Sequence, residues 1–284
     1  MKRLPNFLEA GFPPAPREKA RFEIIPAPFE KSVCYGHGTA KGPAALLEAS
    51  QQVEAFDGAG VPAAAGIYTG PAVPCGGSAE AVVKRIEART AAALAGGRIP
   101  VLLGGEHTVS LGSIRALAAT GAAFGVVQFD AHCDLHDRYQ GDRLSHACVM
   151  RRAVEETGAP LFQIGCRAYG EDEVAFRKAR RISFLDAEPF ALTGMPRRLL
   201  PADFPKNLYI TFDVDAFDPA VMPGTGTPVP GGLGWYDALR LLRAVTAGRR
   251  ILAFDVVELA PLAGSPVSDF TAAQVTYVVM GLCR

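Results

Sequence analysis

Residues 126–138, VVQFDAHCDLHDR, constrain this chain more than any other stretch. Val126, Val127 and Phe129 form an apolar run that predicts a strand. Three side chains able to hold a metal follow at alternate positions: Asp130, His132 and Asp134. A strand sends alternate side chains to one face. A chain that stays extended past Phe129 brings all three to one point beyond the strand's end. Carboxylates held that close repel one another, and a cation offsets the repulsion.

Two further stretches share the design. Residues 208–212, LYITF, are apolar and β-prone, and Asp213 and Asp215 follow them. The apolar run 99–103 leads into Gly104-Gly105-Glu106-His107. Together the three strand ends offer four carboxylates and two imidazoles. Two divalent cations bring that set to formal neutrality, so the count favours a two-metal site. Imidazole and carboxylate without thiolate suit manganese, iron or cobalt, whereas structural zinc prefers cysteine. Two ions about 3.5–4 Å apart can share a water and activate it. The residues alone read as a metal-activated hydrolase.

Short apolar runs alternate with helical stretches along the chain. Strands are predicted at residues 32–34, 99–103, 124–129, 161–164, 182–185, 208–212 and 251–254, and the loop 57–77 has room for one more. Helices are predicted at 44–56, behind Pro43; at 79–95, capped by Ser78; and at 107–120, 146–157 and 171–180, the last charged and exposed. This alternation predicts a parallel sheet covered on both faces. Ligands of such sheets bind beyond the carboxyl ends of the strands, where every candidate lies. The chain reads as one domain, residues 1–284, with residues 1–31 an irregular, Pro-rich extension. The Gly- and Pro-dense segment 219–234 reads as a site loop.

Lys+Arg and Asp+Glu are balanced at 29 each, which gives no sign of a nucleic-acid or membrane partner. No window has the length and apolarity of a signal peptide or a membrane span. Six scattered cysteines read as reduced thiols, which predicts a cytoplasmic protein. Cys133 points away from the acids on strand alternation and reads as a packing thiol. His37 reads as a loop or interface histidine, and His136 as a solvent-facing group or a support behind the site.

GGEH at 104–107, FDAHCD at 129–134 and FDVDAFDP at 212–219 resemble the three signature motifs of the ureohydrolase family, arginase and agmatinase. The resemblance runs from about Val33 to the C-terminus. It implies an arginase-like three-layer α-β-α sandwich and two manganese ions, with iron or cobalt as substitutes. His107, Asp130, Asp134 and Asp213 would hold one ion. His132, Asp130, Asp213 and Asp215 would hold the other, with Asp130 and Asp213 bridging. His146 matches the family's proton-shuttling histidine, and Glu258, in FDVVELAP, the glutamate that pairs with the guanidinium. A permanent cation beside two dications needs a carboxylate partner. A departing amine needs a proton, which histidine supplies near neutral pH. Taken alone, His146 could simply open a helix, and Glu258 could be an exposed loop acid. Glu106 reads as a structural hydrogen-bonding acid.

The implied reaction is attack of a metal-bridging hydroxide on the guanidinium carbon, with Asp134 accepting its hydrogen bond and later moving its proton. Segment 139–150, YQGDRLSHACVM, resembles the agmatinase branch, so agmatine cleaved to putrescine and urea is the expected reaction. Arginine, guanidinobutyrate and aminopropylagmatine stay open. Asp137 or Asp142 would attract the distal ammonium, although Arg138 and Arg143 sit beside them. A single-zinc deacetylase of the same architecture and a non-catalytic homologue are the competing classes. The resemblance also implies a homo-oligomer, trimer or hexamer, for which the N-terminal segment and the 171–180 helix could serve as an interface.

Overall fold

The computed structural model describes residues 4–283; residues 1–3 of the expected extension and Arg284 lie outside it. Among the described residues, eight strands form one all-parallel sheet. They are β1 Phe22–Ala27, β2 Ile67–Thr69, β3 Ile99–Gly104, β4 Gly125–Phe129, β5 Leu161–Ile164, β6 Ser183–Leu185, β7 Asn207–Asp213 and β8 Arg250–Val257. The helices are α1 Gly42–Ala49, α2 Ala79–Ala95, α3 Ser110–Ala119, α4 Val149–Thr157, α5 Glu171–Arg180, α6 Ala187–Thr193, α7 Trp235–Thr246 and α8 Val267–Leu282. Helices α2, α3 and α4 pack in sequence on one face of the sheet, and α1, α7 and α8 on the other. This is the three-layer sandwich expected from the alternating pattern.

Strand order is β2-β1-β3-β8-β7-β4-β5-β6. The chain leaves β3 and lays down β4 at a distance. Later β8 and β7 fill the gap between them. The carboxyl ends of β3, β8, β7 and β4 are therefore neighbours at the centre of the sheet, the switch point where open α/β sheets bind ligands. Phe129 and Phe212 sit level on β4 and β7, their rings stacked 5.1 Å apart at 17°. Such a pair adds about 0.5–1.5 kcal/mol beyond its buried area. It fixes the floor beneath both aspartate-bearing strand ends.

Two sequence expectations are corrected. The segment read as irregular through residue 31 contains β1, which is buried along its whole length, and residues 32–34 are not a strand. Pro26 lies inside β1 although proline cannot donate to a ladder. Its carbonyl accepts from Val73 N at 2.8 Å on the β2 side, and β2 pairs with β1 only from Phe22 to Ile24. The missing N–H falls where β2 has already ended. Glu23, buried in the same strand, is matched by Arg17 and Arg98. The second correction concerns α5. Its inner face, Glu173, Phe176 and Arg177, is buried rather than solvated.

Several boundaries fall where local chemistry put them. Ser78 Oγ accepts from Ala81 N at 3.2 Å and caps α2. Gly158, at φ +68, ends α4. The helix expected at 44–56 is shorter, ending at Ala49 before a 3₁₀ turn. The helices expected from residues 107 and 146 each open with a 3₁₀ turn, His107–Val109 and His146–Cys148.

Candidate metal centre and its comparison with known proteins

All six proposed ligands gather at the central strand ends. Nitrogen and oxygen atoms of His107, Asp130 and Asp134 lie within 4.8 Å of one another, as do those of Asp130, His132 and Asp215. Asp130 belongs to both groups. Asp213 stands between them: its Oδ2 lies 3.4 Å from His107 Nδ1, and its Oδ1 accepts from Asp215 N at 2.9 Å.

Convergence does not come from strand alternation, as the sequence suggested. The strand ends at Phe129, and Asp134 adopts φ +53. Asp130 Oδ1 accepts from His132 N at 2.6 Å, and Asp215 Oδ1 accepts from Ala131 N at 2.9 Å. These bonds curl the segment so that the carboxylates turn inward. Glu258 also sits at positive φ, +64, with its N–H donated to Gly105 O at 2.8 Å. Left-handed backbone is costly for non-glycine residues and concentrates at functional sites.

The orientation of His107 tests whether these residues suit a cation. Thr211 and Tyr209 both donate to the buried carboxylate of Asp255, the former at 2.7 Å. Thr211 Oγ1 has one hydrogen, so towards His107 Nε2, 2.8 Å away, it can only accept. The imidazole hydrogen is thereby placed on Nε2. Nδ1 is left buried without a hydrogen-bond partner, 2.9 to 3.4 Å from oxygens of Asp134, Asp130 and Asp213. A lone pair facing three carboxylates is repulsive unless a positive charge lies among them. A histidine whose far nitrogen donates to a fixed acceptor is the usual arrangement behind a metal-binding imidazole. The donor set fits a divalent ion.

The electrostatics agree. Burial opposes a second proton on His107, but Asp130, Asp134 and Asp213 outweigh burial and raise its pKa well above the ordinary value. His132 is raised likewise, against burial, by Asp215 and Asp130. Burial and the charge of Asp130 push Asp134 up to about 7. Protons thus compete for the positions a cation would take, as expected where metal binding is linked to deprotonation.

Beside this cluster opens a cavity of about 260 Å³, bordered by His132, Asp134, Tyr139, His146, Tyr169 and Glu173. Among the described residues that line it there is no lysine or arginine. Thr227, from the 219–234 loop, also borders it, as expected of a site loop. Arg167 Nη2 ties that loop down, donating to the carbonyls of Asp215 at 2.8 Å and Val229 at 2.6 Å. Glu258 is buried, and its Oε1 accepts from His107 N at 2.6 Å.

The remaining assignments divide. Glu106 is fully buried and accepts from Lys31 N, Ser32 N, Ser32 Oγ and Thr108 Oγ1, the structural role expected of it. Cys133 is fully buried in the core on the α2–α4 side, a packing thiol. His136 pairs with Asp172 at 2.9 Å and Glu173 at 3.4 Å. Asp137 and Asp142 do not border the cavity: Asp137 is taken up by Arg152 and Arg143, and Asp142 caps Leu144 N. Thr211, Asp255 and Ser32 were not singled out in the sequence. Asp255 left a signal, a charge inside the apolar run of β8; the other two left none.

The arginase family model matches residues 20–281, and the chain belongs to that family. It is a ureohydrolase, an enzyme of a binuclear-metal family that hydrolyses C–N bonds of guanidino compounds. An N(1)-aminopropylagmatine ureohydrolase of Synechocystis sp. is 36% identical over 270 residues, covering 91% of this chain and 87% of that one. The protein of that name from Thermus thermophilus is 35% identical, covering 94% and 92%. The crystal structure of agmatine ureohydrolase of Thermoplasma volcanium superposes with a TM-score of 0.88 at 28% identity, covering 99% and 95% of the two chains. No helix among the described residues is long and apolar enough to cross a membrane.

Proposed function

We propose that this chain releases urea from a guanidine whose far end is cationic, either agmatine, giving putrescine, or N1-aminopropylagmatine. The observation that carries the reading is the buried, unpartnered His107 Nδ1 aimed at three carboxylates beside a cavity free of lysine and arginine. A carboxylate tail, as in guanidinobutyrate or arginine, would find Glu173 and Asp134 there and no lysine or arginine to pair with. An amine tail finds the rings of Tyr139 and Tyr169, whose faces attract cations, beside the buried Glu173 carboxylate, which Leu135 N and Gly170 N hold in place. The names of the Synechocystis and Thermus relatives support the longer polyamine.

Two manganese ions fit the donor set. His107, Asp130, Asp134 and Asp213 would hold one, and His132, Asp130, Asp213 and Asp215 the other. When bound, such a pair supplies an activated water near neutral pH. The protein's own groups do the rest. Asp134 accepts a hydrogen bond from the attacking water and takes its proton onward. Glu258, with Oε1 held by His107 N, offers Oε2 to the guanidinium and fixes its plane over the cluster. His146, at the cavity wall, gives the departing amine its proton. The collapsing adduct then leaves as urea and a protonated amine. The reading carries with it a cytoplasmic homo-oligomer, a trimer or hexamer.

Urea release with manganese from agmatine, N1-aminopropylagmatine, guanidinobutyrate and arginine tests both halves of the reading. The cationic-tailed guanidines are expected to turn over with at least about tenfold higher kcat/KM, roughly what one ion pair is worth. Preference for guanidinobutyrate would overturn the tail assignment, and urea from none of the four would overturn the activity.

A further inference from the structure

One hydroxyl outside the metal cluster has every hydrogen-bonding position occupied. Ser32 Oγ lies 2.9 Å from Glu106 Oε1, 3.0 Å from His146 N and 3.0 Å from His146 Nδ1. Glu106 is buried and accepts four donors on its two oxygens, so it has no hydrogen to offer. The single hydrogen of Ser32 goes to Glu106. Its two lone pairs are then left for His146, one for the backbone N–H and one for the ring. Opposite an accepting oxygen, His146 Nδ1 must be the donor. Ser145 Oγ, 3.3 Å from the same nitrogen, is the more distant neighbour.

We propose that Ser32 is a positioning residue that holds the His146 hydrogen on Nδ1 and turns Nε2 towards the cavity. The assignment rests on the proton-donating role given to His146 above. A neutral imidazole carries one hydrogen, and which nitrogen bears it decides whether the other can take up and release a proton at the substrate. Burial lowers the pKa of His146 against the pull of Glu106, which makes the neutral ring, and its tautomer, the form that matters between turnovers. The device joins two distant stretches of chain. The N–H groups of Lys31 and Ser32 hold Glu106, the neighbour of His107 in sequence, and Ser32 passes that anchorage to His146 across 114 positions. Tyr139 closes on the ring edge-on at 5.7 Å, so the imidazole is fixed from a second side.

The test uses the full chain and two readouts. In manganese-loaded protein, Ser32→Ala is expected to lower kcat roughly ten- to a hundredfold, part of the usual worth of a placed acid, with KM and bound metal little changed. Ser32→Thr, which keeps the hydroxyl, restores most of the rate. In protein labelled with 15N-histidine and charged with zinc, which leaves the signals sharp, wild-type His146 shows the hydrogen on Nδ1, and Ser32→Ala moves it at least partly to Nε2. If the alanine variant does not fold, Ser32→Cys, a poor acceptor, asks the same question. A kcat within twofold of wild type, an unmoved tautomer, or a tautomer that answers to Ser145→Ala instead would overturn the proposal. Wild-type protein that releases no urea would sink the proposed activity, while the tautomer measurement would still decide the role of Ser32.

Discussion

The two halves of the metal cluster are built differently. In the inner half His107 is completely enclosed, and a chain of buried groups, Thr211, Asp255 and Tyr209, fixes its far nitrogen. In the outer half the His132 side chain is 29% exposed and borders the cavity, and Asp215 is steadied by the N–H of Ala131 and by Thr227, from the loop that Arg167 ties down. The inner half is held by side chains inside the sheet, the outer half by loops over it. A site that binds a rigid cation and also admits a substrate needs both. Preorganised ligands keep affinity high, and looser ground at the entrance lets the substrate pass.

Replacing Asp134, which belongs to the inner half and faces the cavity, tests whether that half carries the chemistry. Asp134→Ala is expected to cut urea release roughly a thousandfold or more while circular dichroism and thermal melting still show a folded chain. Near-normal turnover would dissolve the distinction at its centre. Thr211→Val leaves all six proposed ligands in place and keeps the side chain's outline. It removes the acceptor behind His107, and manganese affinity by titration should fall about 10–100-fold. An unchanged affinity would show that the buried chain does not brace the inner half.

The smallest effect belongs to the outer half. N–H groups of Ala220, Gly231 and Gly232, in that order of weight with burial opposing, lower the Asp218 carboxyl below its ordinary 3.8. A depressed carboxyl contributes stability above the unfolded value, and that contribution is lost as pH falls through the folded one. Asp218→Asn should therefore flatten the stability profile below about pH 4 and leave neutral stability nearly unchanged. A steep acid limb in the variant would mean that the loop is held by other bonds.

Much of this was legible in the chain. Every residue proposed as a ligand follows an apolar run, and the runs alternate with amphipathic stretches, so the sheet and the rim of the site could be read together. What escaped had a physical reason in each case. β1 was hidden by Pro26, tolerable only because β2 stops short beside it. The turn that brings Asp134 inward comes from backbone bonds to Asp130 and Asp215, which no spacing rule displays. Asp137 and Asp142 looked like partners for an amine, but arginines and a backbone cap had already taken them. Ser32 and Thr211 carry no signature, because a hydroxyl's role depends on which neighbour claims its hydrogen.

The order in which the strands enter the sheet bears on how the protein comes into being. A ribosome finishes β3 and β4 long before β7 and β8 arrive to lie between them. Until then both inner edges stay bare, and bare parallel edges invite pairing with the wrong chain. The nascent protein needs shelter longest at the place where the finished enzyme is most firmly knit.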